Sequence, residues 1–192
     1  MCQTRLLRAG VIRAIVNADQ LNVRPGMTIR RLLPRDVRIY RGLRLRGLRN
    51  SPAAFGSSYF EESRRPLKVL AERLKKTPAT WTFGAFEDGR LVGVLSLVRE
   101  TRRKKSHKAS IFGMYVDKKM RRKGIGKQLI ARAIYTARRC RGIKQINLSA
   151  IDGNVPALRL YKSFGFKIHG TEDRSLFLAG RFHAEHFFAL KL

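Results

Sequence analysis

From Asp36 to Arg49 apolar residues recur at helical spacing: Val37, Tyr40, Leu43, Leu45 and Leu48 are separated by arginines until Asn50-Ser51-Pro52 stops the run. Ahead of it, MTIRRLLPRD at Met27 reads as an opening strand leading into that helix. A linking segment, AAFGSSYFEES, precedes a second helix from about Pro66 to Lys75, where proline is accepted in the first turn. Then the period changes. TWTFGAFEDGRLVGVLSLVRE is two apolar runs around Asp88-Gly89, a dipeptide that supplies the positive φ angles of a tight hairpin.

A basic connection, TRRKKSHK (101–108), leads to a strand, ASIFGMYV (109–116). Beyond it Gly124 and Gly126 open a helix whose apolar positions Ile125, Leu129, Ala133, Ile134 and Ala137 define one buried face. The strand KQINLSAI follows, then Asn154 as N-cap of the helix VPALRLYKSF, closed by Gly165. Two last strands are expected around FKIHG and HAEHFFALKL. The first 26 residues cluster Leu6, Leu7, Val11, Ile12, Ile15 and Val16 loosely on one helical side, between Arg5, Arg8 and Arg13. They are Arg-rich and nearly acid-free, as transit peptides are, yet too broken for a secretory signal, and they read as an appendage to a domain over 27–192.

Length and charge narrow the function classes. A chain of 192 residues has room for one substantial core and hence one site. Arg or Lys interrupts every long hydrophobic stretch, so no membrane span is expected. Cys2 and Cys140 are far apart and lack metal-ligand spacing, which argues against a disulfide framework or a zinc site; a cytoplasmic location is the default. Forty-two Lys and Arg against 13 Asp and Glu give a formal charge of +29, a field that favours anionic partners. Aromatic residues do not interleave with the basic runs as stacking platforms would, so a nucleic-acid-binding module is an alternative and not the favoured reading.

The candidate chemistry lies in MRRKGIG (120–126) and the following Lys127. A strand feeding a glycine turn that opens a helix is an anion cradle. Successive N–H groups converge, the helix dipole adds positive charge, and glycine lets a phosphate approach the backbone. A Walker A loop is excluded, because Arg121 stands where its first glycine is needed and Gln128 where Ser or Thr would follow. A dinucleotide fingerprint is excluded too, with Leu129 in place of a third glycine. A pyrophosphate without either motif is the remaining expectation.

MYVDKKMRRKGIGKQLI resembles the acyl-CoA-binding segment of the GCN5-related N-acetyltransferases, of the form aliphatic-Tyr-Val-x-Pro-x-x-Arg-x-x-Gly-x-Gly. NVPALRLYKSFGF is similar to the same family's second signature, and RLRGLRNSPAAFGSSYFEE to its first-helix segment. The resemblance covers Met27 to Leu192. It implies an α/β fold, a mixed, mostly antiparallel central sheet flanked by helices, and transfer of the acetyl group of acetyl-CoA to a primary amine of a small molecule or protein, in a monomer or homodimer without metal. A non-catalytic acyl-CoA-binding regulator is the other alternative. Lys118 stands where the family often has Pro, and Arg122 where Gly is frequent.

Carried onto this chain, the resemblance assigns the pyrophosphate to the N–H groups of Arg121, Arg122, Lys123, Gly124, Ile125, Gly126 and Lys127, helped by the Arg121 side chain. Met114 and Val116 would offer main-chain groups to the acetyl carbonyl and pantetheine arm, Asn154 would bind the cofactor's amide region, and Tyr161 would lie near the sulfur. The reaction needs an oxyanion donor, a proton path and an acid for the leaving thiolate. Met114 N–H and Tyr161 are the candidates for donor and acid. For the base, Glu62 is the first choice among Glu61, Glu62, His183 and Glu185, with a water chain as the alternative. Asn154 as a plain helix cap and Tyr161 as plain packing are the competing readings.

Overall fold

The computed structural model describes residues 26–192; the segment read as an appendage lies, but for Gly26, outside them. Seven strands, β1 (Met27–Arg31), β2 (Thr80–Glu87), β3 (Arg90–Arg99), β4 (Lys108–Val116), β5 (Gln145–Ile151), β6 (Lys167–Leu178) and β7 (Arg181–Lys191), share one sheet in the order β1-β2-β3-β4-β5-β7-β6. Neighbours are antiparallel except β4 with β5, as the resemblance implied for a mixed, mostly antiparallel sheet. The helices are α1 (Val37–Asn50), α2 (Tyr59–Arg64), α3 (Leu67–Glu72), α4 (Ile125–Arg139) and α5 (Val155–Ser163).

β3 explains how the layers assemble. Val92, Leu95 and Leu97 join the core on the α4 side, and Leu91 and Val94 join the core on the α1 side. A strand buried on both faces reads as a continuous apolar run, which is why LVGVLSLV shows no alternation. On α4, Ile125, Leu129, Ile130 and Ile134 are at most 1% exposed, each contributing roughly 2 kcal/mol through burial. Gly93 lets that helix sit close: a Cβ there would come within 3.1 Å of Ile125 and of Leu129.

The β2–β3 hairpin forms at Asp88 and Gly89, both at positive φ (48° and 75°), as expected. Two expectations change. AAFGSSYFEES is not merely linking: Ser58 caps α2 by accepting from Glu61 N–H at 3.1 Å while the Glu61 carboxylate accepts from Ser58 N–H at 2.8 Å. That Ser-x-x-Glu spacing was the legible signal. β6 also runs well beyond FKIHG, turning into β7 at Ala179 and Gly180 (φ 50° and 75°). Alanine at positive φ carries no turn signature, so the strand's far half was hidden.

One irregularity opens the site. β4 and β5 pair only at Lys108–Gln145, Ala109–Ile146 and Ser110–Asn147, after which β5 stays with β7 as far as Ile151–Glu185. Across β3, Gly113 and Met114 together face Leu95, a bulge with Gly113 at φ 59°. The bulge and the parting strands leave the far half of β4 beside a cleft.

Candidate active site

The cleft has a volume of about 1030 Å³ and is lined by the parted ends of β4 and β5, the turn before α4, the start of α5, and the arch around Phe55. Its floor at the turn is backbone. Lys118–Met120 is a single 3-10 turn capped by Asp117, whose carboxylate accepts from Lys119 N–H at 3.2 Å. Lys118 therefore occupies a first helical position, where proline is at home and lysine costs little. Arg122 (φ 62°) and Gly124 (φ 80°) then take left-handed conformations. The departure at Arg122 is thus real strain, since a residue with a Cβ fills a slot suited to glycine.

The turn's N–H groups are left unused. From Arg122 to Lys127 none donates to another described residue of the chain, and those at the helix start are the orphan donors of any α-helix. Gly124 has open space where a Cβ would lie, while a Cβ on Gly126 would meet Met114 Cε at 3.1 Å and Leu160 Cδ2 at 3.3 Å. The Arg121 guanidinium is fastened by donating to Val116 O (3.2 Å) and Ser51 Oγ (3.0 Å). Such a row of free donors, with a tethered cation beside it, fits a pyrophosphate.

Tyr161 is packed in the core and also reaches the cleft. Its ring packs edge-on against Phe166 and Phe188 at 6.1 and 5.9 Å, and its hydroxyl reaches the cleft to donate to Met114 Sδ at 3.7 Å. Burial pushes the phenol up to about 12, so it stays protonated and remains a donor. A thioether is a weak acceptor, which leaves that O–H available to another sulfur. Asn154 does cap α5, accepting from Ala157 N–H at 3.4 Å, and it also lines the cleft. Met114, Val116, Arg121, Arg122, Gly124, Ile125 and Gly126 line it as well. Lys123 instead turns its ammonium to Glu87 at 3.5 Å, and the Lys127 side chain is exposed on α4.

Glu62 requires a correction. Its side chain is 1% exposed and is surrounded by Arg44 (2.8 Å), Arg73 (2.9 Å) and Arg65 (3.7 Å). Burial pulls its pKa upward, but the Arg44 hydrogen bond and the charges of Arg44, Arg73 and Arg65 outweigh that and hold it below the usual carboxylate range. A carboxylate so held is a poor proton acceptor, and Glu62 is not among the cleft-lining residues. Its work is to hold Arg44 and Arg73, which do line the cleft. Glu61 is spent on the α2 cap, and His183 lies across from Leu176 in the β6–β7 ladder. Glu185, opposite Ile151 on β5, is the one carboxylate lining the cleft among the described residues and accepts from Ser175 Oγ at 2.9 Å.

A family model described as the acetyltransferase (GNAT) family matches residues 46–166, well over half of the chain. The chain belongs to the GNAT family. It is accordingly an N-acetyltransferase, and the earlier resemblance holds. An L-amino acid N-acetyltransferase of Escherichia coli (strain K12) is 30% identical over 118 residues, 62% of this chain and 72% of that protein. A spermine/spermidine N(1)-acetyltransferase of Bacillus subtilis (strain 168) is 29% identical over 119 residues, 60% of this chain and 76% of that protein. Among solved structures, a putative acetyltransferase from Salmonella typhimurium with its cofactor acetyl-CoA superposes with a TM-score of 0.73 at 22% identity, over 86% of this chain and 94% of that one. Within this GNAT chain, Arg44, Arg73, Ser57 and Phe112 are among the cleft residues that the sequence reading did not single out.

Proposed function

We propose that the protein transfers the acetyl group of acetyl-CoA to the primary amine of a small acceptor that also carries an anionic group, an amino acid being the simplest. The observation that carries the cofactor half is the row of unused N–H groups from Arg122 to Lys127. The acceptor half rests on the cleft's charge: among the described residues, Arg44, Arg73, Lys118, Arg121 and Arg122 line it against Glu185 alone. Three of these cations lie at the turn and would face phosphates. Arg44 and Arg73 remain for the acceptor. Such a lining repels a polyamine and attracts a carboxylate, so between the two similar proteins it favours the amino acid enzyme's kind of substrate.

Bound acetyl-CoA would supply a thioester carbonyl carbon for the amine to attack and a thiolate to leave. The chain's residues would do the rest. The turn and the Arg121 guanidinium bind and fix the pyrophosphate. Met114 N–H, beside the bulge, donates to the oxygen that gains charge. Tyr161 donates its hydrogen bond to the departing sulfur. Glu185 takes the ammonium proton, directly or through water, in the place first given to Glu62. Arg44 uses Nε on Glu62 and Nη2 on Ser57 Oγ, and its Nη1 would lie 3.3 Å from a Cβ on Gly113, which aims that donor at the bulge.

The test is release of CoA thiol from acetyl-CoA with a panel of amines: acidic and neutral amino acids, their carboxamides, and spermidine. Amino acids are expected to be acetylated with kcat/KM at least tenfold above their carboxamides. Spermidine as the better acceptor would overturn the acceptor reading, and saturable acetyl-CoA binding without release to any amine would overturn the enzymatic one.

A further inference from the structure

The cofactor turn and the acceptor cleft leave a second concentration of charge unused. It lies at the other end of the same elements. β4 runs from Lys108 toward the turn and α4 returns from it over 15 residues, about 22 Å. The start of β4 and the end of α4 are therefore neighbours, remote from the cradle. Lys144 and Gln145 N–H donate to His107 O at 2.8 and 3.2 Å, and a Cβ on Gly142 would come within 3.0 Å of the Arg99 guanidinium. The loop after β3 and the loop after α4 make one surface.

That surface is cationic throughout. Arg102, Arg103, Lys104 and Lys105 are exposed on the first loop. Arg138, Arg139, Arg141 and Lys144 are exposed at the second. None of the eight forms an ion pair with a described residue, and the only carboxylate in the two segments is the half-buried Glu100. A helix C-terminus favours cations, which accounts for Arg138 and Arg139. It does not account for four consecutive cations on a loop whose 3-10 turn is held by Lys105 N–H and Ser106 N–H donating to Arg102 O and Arg103 O, without those side chains. Holding eight like charges together is unfavourable unless an anion is shared.

We infer that this face binds the phosphate backbone of double-stranded nucleic acid, without reading its sequence. Phosphates of a duplex supply closely spaced charge for side chains fanned over two loops. No exposed large hydrophobic residue falls in either loop, so the face has no apolar wedge to enter a membrane and no anchor for a protein partner. It has no exposed aromatic ring on which single-stranded bases would stack. The inference is independent of the acetyl-transfer reading, because no residue of this face lines the cleft.

The experiment is fluorescence anisotropy with labelled 20-base-pair duplexes of arbitrary sequence, one DNA and one RNA, from about 50 to 200 mM salt. At least one duplex is expected to bind with a log–log salt slope of about −4 or steeper. Reversing Arg103, Lys104 and Lys105 to Glu should weaken it at least tenfold and flatten the slope by about 2 to 3. Three reversals elsewhere, Arg38→Glu, Lys68→Glu and Arg181→Glu, should change affinity less than threefold, and both triple variants should retain acetyl transfer. Equal losses in the two triples would reduce the effect to net charge and overturn the site. Tighter binding to phosphatidylserine vesicles than to either duplex, or no duplex binding at 50 mM salt, would overturn it too.

Discussion

Two segments of this chain look alike on paper: TRRKKSHK (101–108) and MRRKGIGK (120–127) each carry four or five Lys and Arg in eight residues. Folded, they differ in what their backbones do. In the first, Lys105 N–H and Ser106 N–H donate back to Arg102 O and Arg103 O in an ordinary 3-10 turn, and no residue of the loop takes a positive φ. In the second, positive φ at Arg122 and Gly124 turns a row of N–H groups outward with no acceptor among the described residues. Side-chain cations lose most of their pull as salt screens them, whereas fixed N–H groups around a desolvated phosphate keep theirs. The difference teaches that charge recruits anions here and backbone geometry holds one of them.

The largest effect is expected where the cradle is filled and its positive potential is opposed at once. Gly124→Glu places a carboxylate in the cradle, where there is open space for it, and should weaken acetyl-CoA binding about a thousandfold, roughly 4 kcal/mol. Calorimetric titration at low and high salt checks this. The native protein should keep one-site binding in high salt. Weak binding that disappears with salt equally in both proteins would erase the contrast between the segments.

How much of this was readable beforehand follows the same line. The Asp88-Gly89 hairpin, the buried stripe of α4 and the Asn154 cap were legible because each is a local rule that the fold keeps. The turn was legible because glycine spacing exposes backbone geometry. Arg44 and Arg73 were not, since nothing separates them from the other 40 basic residues until Glu62, 18 and 11 positions away, gathers them. Glu62 itself was misread for that reason: a carboxylate's task depends on neighbours that sequence does not reveal. The parting of β4 from β5 left no mark either, because both strands keep their apolar pattern past the point where pairing ends.

Glu62 extends the comparison to side chains, by asking whether arginines act through charge or through being fixed. Glu62→Gln keeps the volume and strands three guanidinium groups, which should cost roughly 3 kcal/mol and lower the thermal midpoint by about 6 to 12 °C. The pH dependence carries the sign. Glu62 sits below its unfolded value, so its contribution is complete above about pH 4.5 and is lost as pH falls through the folded value. The Gln variant should lack that acid-side loss in melts from pH 2 to 6. It should also raise KM for the amino acid acceptor more than for acetyl-CoA. An unchanged acceptor KM would mean that Arg44 and Arg73 recognise the acceptor as loose charges.

Tyr161 applies the same question to a neutral donor. Tyr161→Phe keeps the ring between Phe166 and Phe188 and removes only the hydroxyl, so kcat should fall roughly 10- to 100-fold with acetyl-CoA affinity within about twofold. Because the phenol is raised to about 12 in the folded state, its contribution to stability is complete below pH 10 and fades as pH rises from there toward 12. The Phe variant should therefore lose part of the alkaline destabilisation seen in melts between pH 9 and 11. Unchanged turnover would remove Tyr161 from the chemistry and leave it as packing.

The smallest effect is the sharpest test of the contrast, because it sets side-chain charge against backbone shape at one residue. Arg122 holds φ 62°, a conformation costing a non-glycine residue about 1 kcal/mol. Arg122→Gly keeps the turn's N–H row and relieves that strain while deleting an exposed cation. If the backbone holds the pyrophosphate, the thermal midpoint should rise by about 2 to 4 °C, acetyl-CoA should bind within about threefold of native, and its salt dependence should become shallower. A tenfold or greater loss of affinity with no gain in stability would make the Arg122 side chain, and not the geometry it strains to preserve, the group that grips the anion. The two basic segments would then differ in degree alone.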